Sequence, residues 1–459
     1  MLNKLPAIGP ISEDDKAAIA AAIDVNEITE LALALGNIPA PAGKEGKAAE
    51  FVYQWMLKEG FNPRKVGATE DRPNVIGTYG GGAGEGQNLL FCAHLDTESP
   101  TYNPDVDAYK YRPATINNRE WQECWLEDGV LYGYPIANDR GPMSCFLIAA
   151  KALKKAGINL SGKMYLAANP GEIGPEPIEE MRGTSYLGKD IGANYMFYHG
   201  GVAPDYAIAA EGCDFGWTSV GCGYAVFRIR LYGQSVFTPL LNMPEKASDH
   251  PSPIYRIGGL IDVIHQWSRE HEVRSKYVAP GGTATPKSQI ASVRGGVPYA
   301  FGAGTEICAL YLEVGLSPAT QIAEIQHSLE RAIFAAIGPG FEVENVVARH
   351  GYDADPSQVA PLVEALEAAT QATLGRPAGV AAPIYSSMWR DHNVFNMQRI
   401  PAITTGMKRW RPTPADLAAS AQIYALTALG LCGKQDGAIS AGQSRPVYGD
   451  NPFGSTSKK

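Results

Sequence analysis

The 459-residue sequence predicts an α/β protein built on a mostly parallel sheet and interrupted by an inserted α+β domain of βαββαβ order. Three observations predict it. From residue 11 to about 214, short apolar runs alternate with segments of helical spacing, as a parallel sheet with crossover helices requires. Near residue 215 the texture changes to strand, helix, strand, strand, helix, strand. After residue 352 the first style returns. The expected division is therefore 1–214, the first part of the larger domain; 215–352, the insertion; and 353–459, the second part with a flexible tail, "SRPVYGDNPFGSTSKK".

Each element follows from its pattern. "ISEDDKAAIAAAIDVNEITELALALG" and "GKEGKAAEFVYQWMLKEG" carry apolar residues at helical spacing, and the strand candidates are "NVIGTY", "NLLFCAH", "KMYLAAN" and "DYAIAAEG", separated by Gly, Pro and Asp. In the insertion, "YAVFRIRLYG", "SQIASVRGG", "EICALYLEVGL" and "FEVENVVARHG" read as strands, and "IYRIGGLIDVIHQWSREHE" and "TQIAEIQHSLERAIFAAI" as helices. "PLVEALEAATQATLG" and "IPAITTG" supply a last helix and strand of the larger domain.

Composition narrows the partners. A formal charge of −9 and a pI near 5.5 argue against the basic face that nucleic acid or an anionic membrane needs, which leaves a small molecule or a protein as the expected partner. "MLNKLPAIGP" lacks the apolar core of a signal peptide and no run reads as long enough to span a bilayer, so a cytoplasmic protein is expected. Seven cysteines without a C-x-x-C pair form neither a disulfide framework nor a thiolate zinc site; Cys92, Cys145 and Cys308 read as core residues.

The chemistry lies where strands end. His94 and Asp96 close one strand in "CAHLD", Asp139 stands before an apolar helix in "PIANDRGPM", Glu172 follows a strand in "AANPGEIGPEP", and Glu211 follows another in "IAAEG". An imidazole and several carboxylates at one edge of a parallel sheet suit a divalent transition metal such as manganese, zinc or cobalt. Asp96 would fix the His94 tautomer through the other ring nitrogen.

This order of motifs resembles the co-catalytic metallopeptidase family that includes aminoacylase, carboxypeptidase G, peptidase T and succinyl-diaminopimelate desuccinylase. "NIPAPAGKEGKAAEFV" is similar to the family's opening helix, "ASVRGG" to its lid strand and "DHNVFNMQRIPAITTG" to its last catalytic strand. The resemblance implies a metallohydrolase domain with an inserted lid that also makes dimers, hence a homo-oligomer. It implies that His94, Asp139 and Glu211 bind one metal, and that Asp139 bridges to a second held by Glu172.

Four departures stand against that pattern. Gly171 occupies the position of the family's general-base Glu, and "GMKRWRPTPADL" lacks the His that completes the second metal site. His392 in "WRDHNVF" either replaces that ligand or is a structural partner of Asp391. Phe237 stands where the lid His is usual, and "YLEVGLSP" lacks the lid Arg. The expectation is one metal per chain, with Glu172 released to act as general base or proton shuttle.

The C-terminal segments offer Tyr385, Trp389, Arg390, Arg409, Trp410 and Arg411, aromatic planes and guanidinium forks that suit a flat, anionic ligand; His199 in "FYHGG" is a further candidate contact. The reaction expected is hydrolysis of a C–N bond by metal-activated water on a small anionic aromatic substrate, as in the family's aminohydrolases of the 5-nitroanthranilate type. The alternatives are an aminoacylase-like or dipeptidase-like amidohydrolase, and an inactive scaffold of the same fold.

Overall fold

The computed structural model describes residues 9–81, 86–97, 112–174, 176–179, 183–299 and 302–435. The C-terminal tail read as flexible lies outside them.

The first helical segment is two helices, α1 (Glu13–Ala22) and α2 (Val25–Gly36), because Asp24 accepts hydrogen bonds from the amides of Asn26 and Glu27 and so starts a second helix. After α3 (Gly46–Glu59) come β1 (Arg64–Val66), β2 (Asn74–Gly80) and β3 (Leu89–His94). α4 (Gly141–Lys155) then crosses to β4 (Lys163–Asn169), and α5 (Ala193–His199) to β5 (Tyr206–Ala210), followed by the short β6 (Trp217–Thr218).

The inserted unit holds β7 (Gly223–Tyr232), α6 (Ile257–Arg274), β8 (Ser288–Gly295), β9 (Ile307–Leu316), α7 (Ile322–Ile337) and β10 (Phe341–Arg349), the βαββαβ order read from the sequence. The chain closes with α8 (Pro356–Leu374), α9 (His392–Met397), β11 (Ala402–Thr405) and α10 (Pro414–Cys432).

The larger sheet runs β1-β2-β4-β3-β5-β11-β6. Its four central strands, β4, β3, β5 and β11, are parallel, and the outer ones antiparallel. The parallel strands are buried on both faces and read as continuous apolar runs for that reason. One consequence decides the site: in register, His94 of β3 lies opposite Asn169 of β4, so the loops leaving β3, β4 and β5 all emerge at one edge. The second sheet runs β8-β9-β7-β10 and is wholly antiparallel.

The larger sheet continues past residue 214 through β6, and Val220–Gly221 pairs with Tyr352–Asp353 where the chain enters and leaves the insertion. Phe227, Ile229 and Leu231 of β7 pack with Leu260, Ile264 and Trp267 of α6, which makes the inserted core separate from the larger one. The opposite face of β7 is polar and meets the larger domain: Arg228 pairs with Glu179, which also accepts from Tyr311.

α10 corrects one expectation. It is long and apolar enough to cross a membrane, contrary to the sequence reading. Its side chains are mostly buried against α4, α8 and α2, which is the environment of a core helix. All seven cysteines are free and buried, Cys92, Cys145 and Cys308 among them.

Candidate metal centre

His94 ends β3 because the strand's apolar run stops there, and its ring is buried. Nδ1 lies 2.8 Å from the main-chain oxygen of Asp96 and 3.5 Å from its Oδ1. Nδ1–H donating to that carbonyl leaves the Nε2 lone pair directed into the site. Asp96 therefore holds the tautomer chiefly through its backbone, a correction to the carboxylate role expected. Its carboxylate is used otherwise: it accepts from the amides of Glu172 at 3.0 Å and Ile173 at 2.7 Å, fastening the loop after β4 to the end of β3. Although burial works against ionisation, His94 and these two amides hold the Asp96 carboxyl below its ordinary value.

Around His94 Nε2 stand Asp139 Oδ2 at 3.7 Å and Glu172 Oε2 at 3.9 Å. Asp139 precedes α4 across a cis peptide bond from Asn138, and both its carboxylate oxygens are buried without a hydrogen-bond partner. Glu211, just beyond β5, is drawn elsewhere: its Oε2 is 2.8 Å from Arg390 and 3.6 Å from Arg409. The carboxylates nearest His94 Nε2 are thus Asp139 and Glu172, whereas the family resemblance implied Glu211 in the first metal's shell. Among the described residues no group of three or more His, Cys, Asp and Glu side chains is gathered closely enough to hold a metal as it stands.

The electrostatics nevertheless fit a cation. Burial pushes the Asp139 carboxyl well above its ordinary value, with the nearby Glu211 carboxylate adding to it. Glu211 is raised by burial too, against the pull of Arg390. Burial opposes protonation of His94, yet Asp139, Asp96 and Glu172 hold its pKa well above the usual histidine range. A site that draws protons onto three groups at once is short of positive charge. An imidazole nitrogen and carboxylates, two of whose oxygens lack any partner, are the donor set that a borderline divalent metal takes.

The substrate-contact candidates divide. Arg390 and Arg409 belong to the cluster, and Arg390 Nε and Nη2 and Arg409 Nη1 are buried without hydrogen-bond partners. Tyr385 acts one step away: its hydroxyl donates to Asp214 at 2.6 Å, and Asp214 accepts the Arg409 amide at 3.0 Å. Three expectations fail on position. Arg411 is paired with Glu120 at 2.7 Å and lies over the Tyr132 ring, away from the carboxylates. His199 is exposed at the end of α5, against Tyr195. His392 is fully buried, with Nδ1 2.7 Å from Thr404 Oγ1 and Nε2 packed on Gly221. Among the described residues no carboxylate lies within ion-pair distance of His392, so it neither replaces the missing ligand nor pairs with Asp391.

Sequence reasoning missed two features, and the structure explains a third that it had noticed. Lys189 is buried with Nζ 4.0 Å from Glu172 and over the Trp389 and Tyr224 rings; it stands in a loop with no periodic signal. Glu45 and Arg72 form a buried bidentate pair at 2.6 and 2.8 Å, and Arg72 also donates to the Leu187 carbonyl at 2.7 Å. Gly171 is fixed by that packing: its φ is +76°, and a Cβ there would meet the Gly188 oxygen at 2.8 Å and Arg72 at 3.3 Å. A glutamate cannot be seated at this position without moving the loop.

No protein-family model matches the chain. Solved structures share its fold at low identity. A tripeptidase from Staphylococcus aureus is 15% identical with a TM-score of 0.61, over 89% of this chain and 99% of that one. The dipeptidase Dug1p from Saccharomyces cerevisiae is 12% identical with a TM-score of 0.63, over 92% and 99%. An M20 family metallo-carboxypeptidase from Sulfolobus solfataricus is 13% identical with a TM-score of 0.60, over 89% and 99%. The chain's structural neighbours thus include an M20 family metallo-carboxypeptidase, a tripeptidase and a dipeptidase, and the fold it shares with them is that of the co-catalytic metallopeptidases its motifs resemble.

Proposed function

We propose that the chain is a divalent-metal-dependent hydrolase of C–N bonds, acting as an aminohydrolase on a small anionic aromatic substrate of the 5-nitroanthranilate type. The observation that carries this reading is the buried meeting of His94, Asp139 and Glu172, with both Asp139 oxygens unpartnered, at the edge of a parallel sheet. His94 and Asp139 would hold the metal, one per chain, joined by Glu211 once it turns from Arg390. A metal so held supplies a Lewis acid that makes water a nucleophile at neutral pH.

The protein's own groups supply the rest. Glu172, 3.9 Å from His94 and 4.0 Å from Lys189, takes the proton from the attacking water, since Gly171 offers no base. Asp96 holds the loop that aims Glu172. Arg390 and Arg409 present unpartnered N–H groups to an anionic substituent, and stabilise the negative charge that develops on the ring as the water oxygen adds; that charge returns when the C–N bond breaks and the amino group leaves as ammonia with the proton Glu172 took.

A tripeptidase and a dipeptidase are among the structural neighbours, so amide cleavage is the second reading. The test pairs metal content of the purified, reconstituted chain with ammonia release from ortho-aminobenzoates and amine release from N-acyl amino acids. About one metal per chain with ammonia release supports the proposal, and His94→Ala and Asp139→Asn should then lose the metal and lower turnover by at least about a hundredfold. Amide cleavage with two metals would return the chain to peptidase chemistry, and failure to bind metal would make it a scaffold.

The same reading carries a homo-oligomer assembled through the inserted domain. Supporting it are the edge strand β8, with Val293 46% exposed, and a neighbouring groove of about 830 Å³ lined by Val236, Leu241, Met243, Ile254 and Val297.

A further inference from the structure

We propose that Arg349, at the end of the inserted domain's last strand, is a positioning residue that clamps both loops flanking the reaction centre, so that Glu172 and Lys189 are aimed only while the insertion is seated. Arg349 spreads its guanidinium between two carboxylates. It donates to Asp190 through both terminal nitrogens, at 2.6 and 2.9 Å, and to Glu176 at 3.0 Å. Tyr224, its cross-strand neighbour on β7, donates its hydroxyl to the same Glu176.

Each partner belongs to a segment that carries a site residue. Asp190 directly follows Lys189, whose ammonium lies 4.0 Å from Glu172 and over the ring of Tyr224. Glu176 lies four residues after Glu172 in the loop leaving β4. One end of that loop is fastened by Asp96 within the larger domain, and the other by Arg349 from the insertion. A planar fork with two bidentate faces holds both loops in register, which a flexible ammonium cannot do. The pair with Glu176 is shielded, the two side chains being 15% and 10% exposed, and is screened less than a surface pair, whereas Asp190 is 52% exposed and its pair relies on the bidentate geometry.

The inference rests on the reading of Glu172 as the base, and its test separates the two. Hydrogen exchange is measured on the metal-reconstituted full chain for Arg349→Met and Arg349→Lys. In Arg349→Met, exchange should rise in residues 176–179 and 186–192 while β3, β11 and α10 stay protected; Arg349→Lys should fall between Met and wild type. In the ammonia-release assay, kcat of Arg349→Met should fall about 10- to 100-fold with KM within about twofold and metal content unchanged, the signature of misaimed rather than lost groups. Unchanged exchange in both stretches, uniform loosening of the chain, or a rise in KM at constant kcat would overturn the proposal.

Asp190→Asn and Glu176→Gln decide it if the arginine variants do not fold. Each should loosen its own loop and spare the other; equal loosening of both, or none, sinks the clamp. A wild-type chain without C–N hydrolysis would remove the proposed chemistry, while the exchange pattern still decides Arg349.

Discussion

Burial does opposite things to the two histidines near the reaction centre. His94 faces three carboxylates that overcome its desolvation, whereas His392 faces Thr404, Gly221 and the charge of Arg390. Burial, with Arg390 adding to it, pushes the His392 pKa down to about 3. Below about 6.5 the unfolded chain binds a proton that the folded chain refuses, so His392 lowers stability as pH falls from about 6.5 towards 3, at up to about 1.4 kcal/mol per pH unit. Urea unfolding of wild type and His392→Gln at pH 7.5 and 5 should therefore show the wild type losing more stability between the two. An equal loss in both would mean that His392 takes up its proton in the fold.

At the scale of elements, local chemistry decides where helices begin. The segment 11–36 has one unbroken helical pattern, yet Asp24 stops it by offering its carboxylate to two amides of the next turn. Asp24→Ala should lower unfolding free energy by about 1 kcal/mol without altering the larger sheet, as denaturant titration would show. A neutral result would place the break in tertiary packing of α1 and α2 and not in the cap. At the opposite end of the chain, Thr413 and Asp416 form a reciprocal capping box that starts α10. That sharp start lets a largely apolar helix enter the core directly behind the polar loop carrying Arg409 and Arg411.

For the molecule as a whole, the inserted domain's core is separate from those of the larger domain, the two being joined by paired strands at the insertion's root, and among the described residues no strand pairs with the edges of the inserted sheet. Light scattering should report a multiple of the 49.1 kDa chain, and Val293→Lys on β8 should reduce it by placing charge on the edge. A monomeric wild type would instead show that the edge's exposed side chains alone prevent pairing.

The sequence by itself determined the longer strands and their order, because period-two and apolar runs depend on neighbours along the chain: "KMYLAAN" is β4 to the residue, and the βαββαβ order holds for the inserted sheet, whereas the short strands β1 and β6 and the hairpin of residues 277–284 carry too few residues to show a pattern. It also determined that His94, Glu172 and Glu211 stand at strand ends and Asp139 at a helix start, and that parallel strands bring such ends to one edge. Tertiary structure alone decided which of them meet. Arg390 competes for Glu211, the Asp96 carboxylate is taken by two amides, and His392, Arg411 and His199 are turned to other partners. Lys189, Arg72 and Arg349 were illegible because a buried charge shows itself only through its counter-charge, and theirs lie far along the chain or in loops without periodicity. Spacing fixes where a side chain leaves the backbone; competition among charges in a low-dielectric interior fixes what it touches.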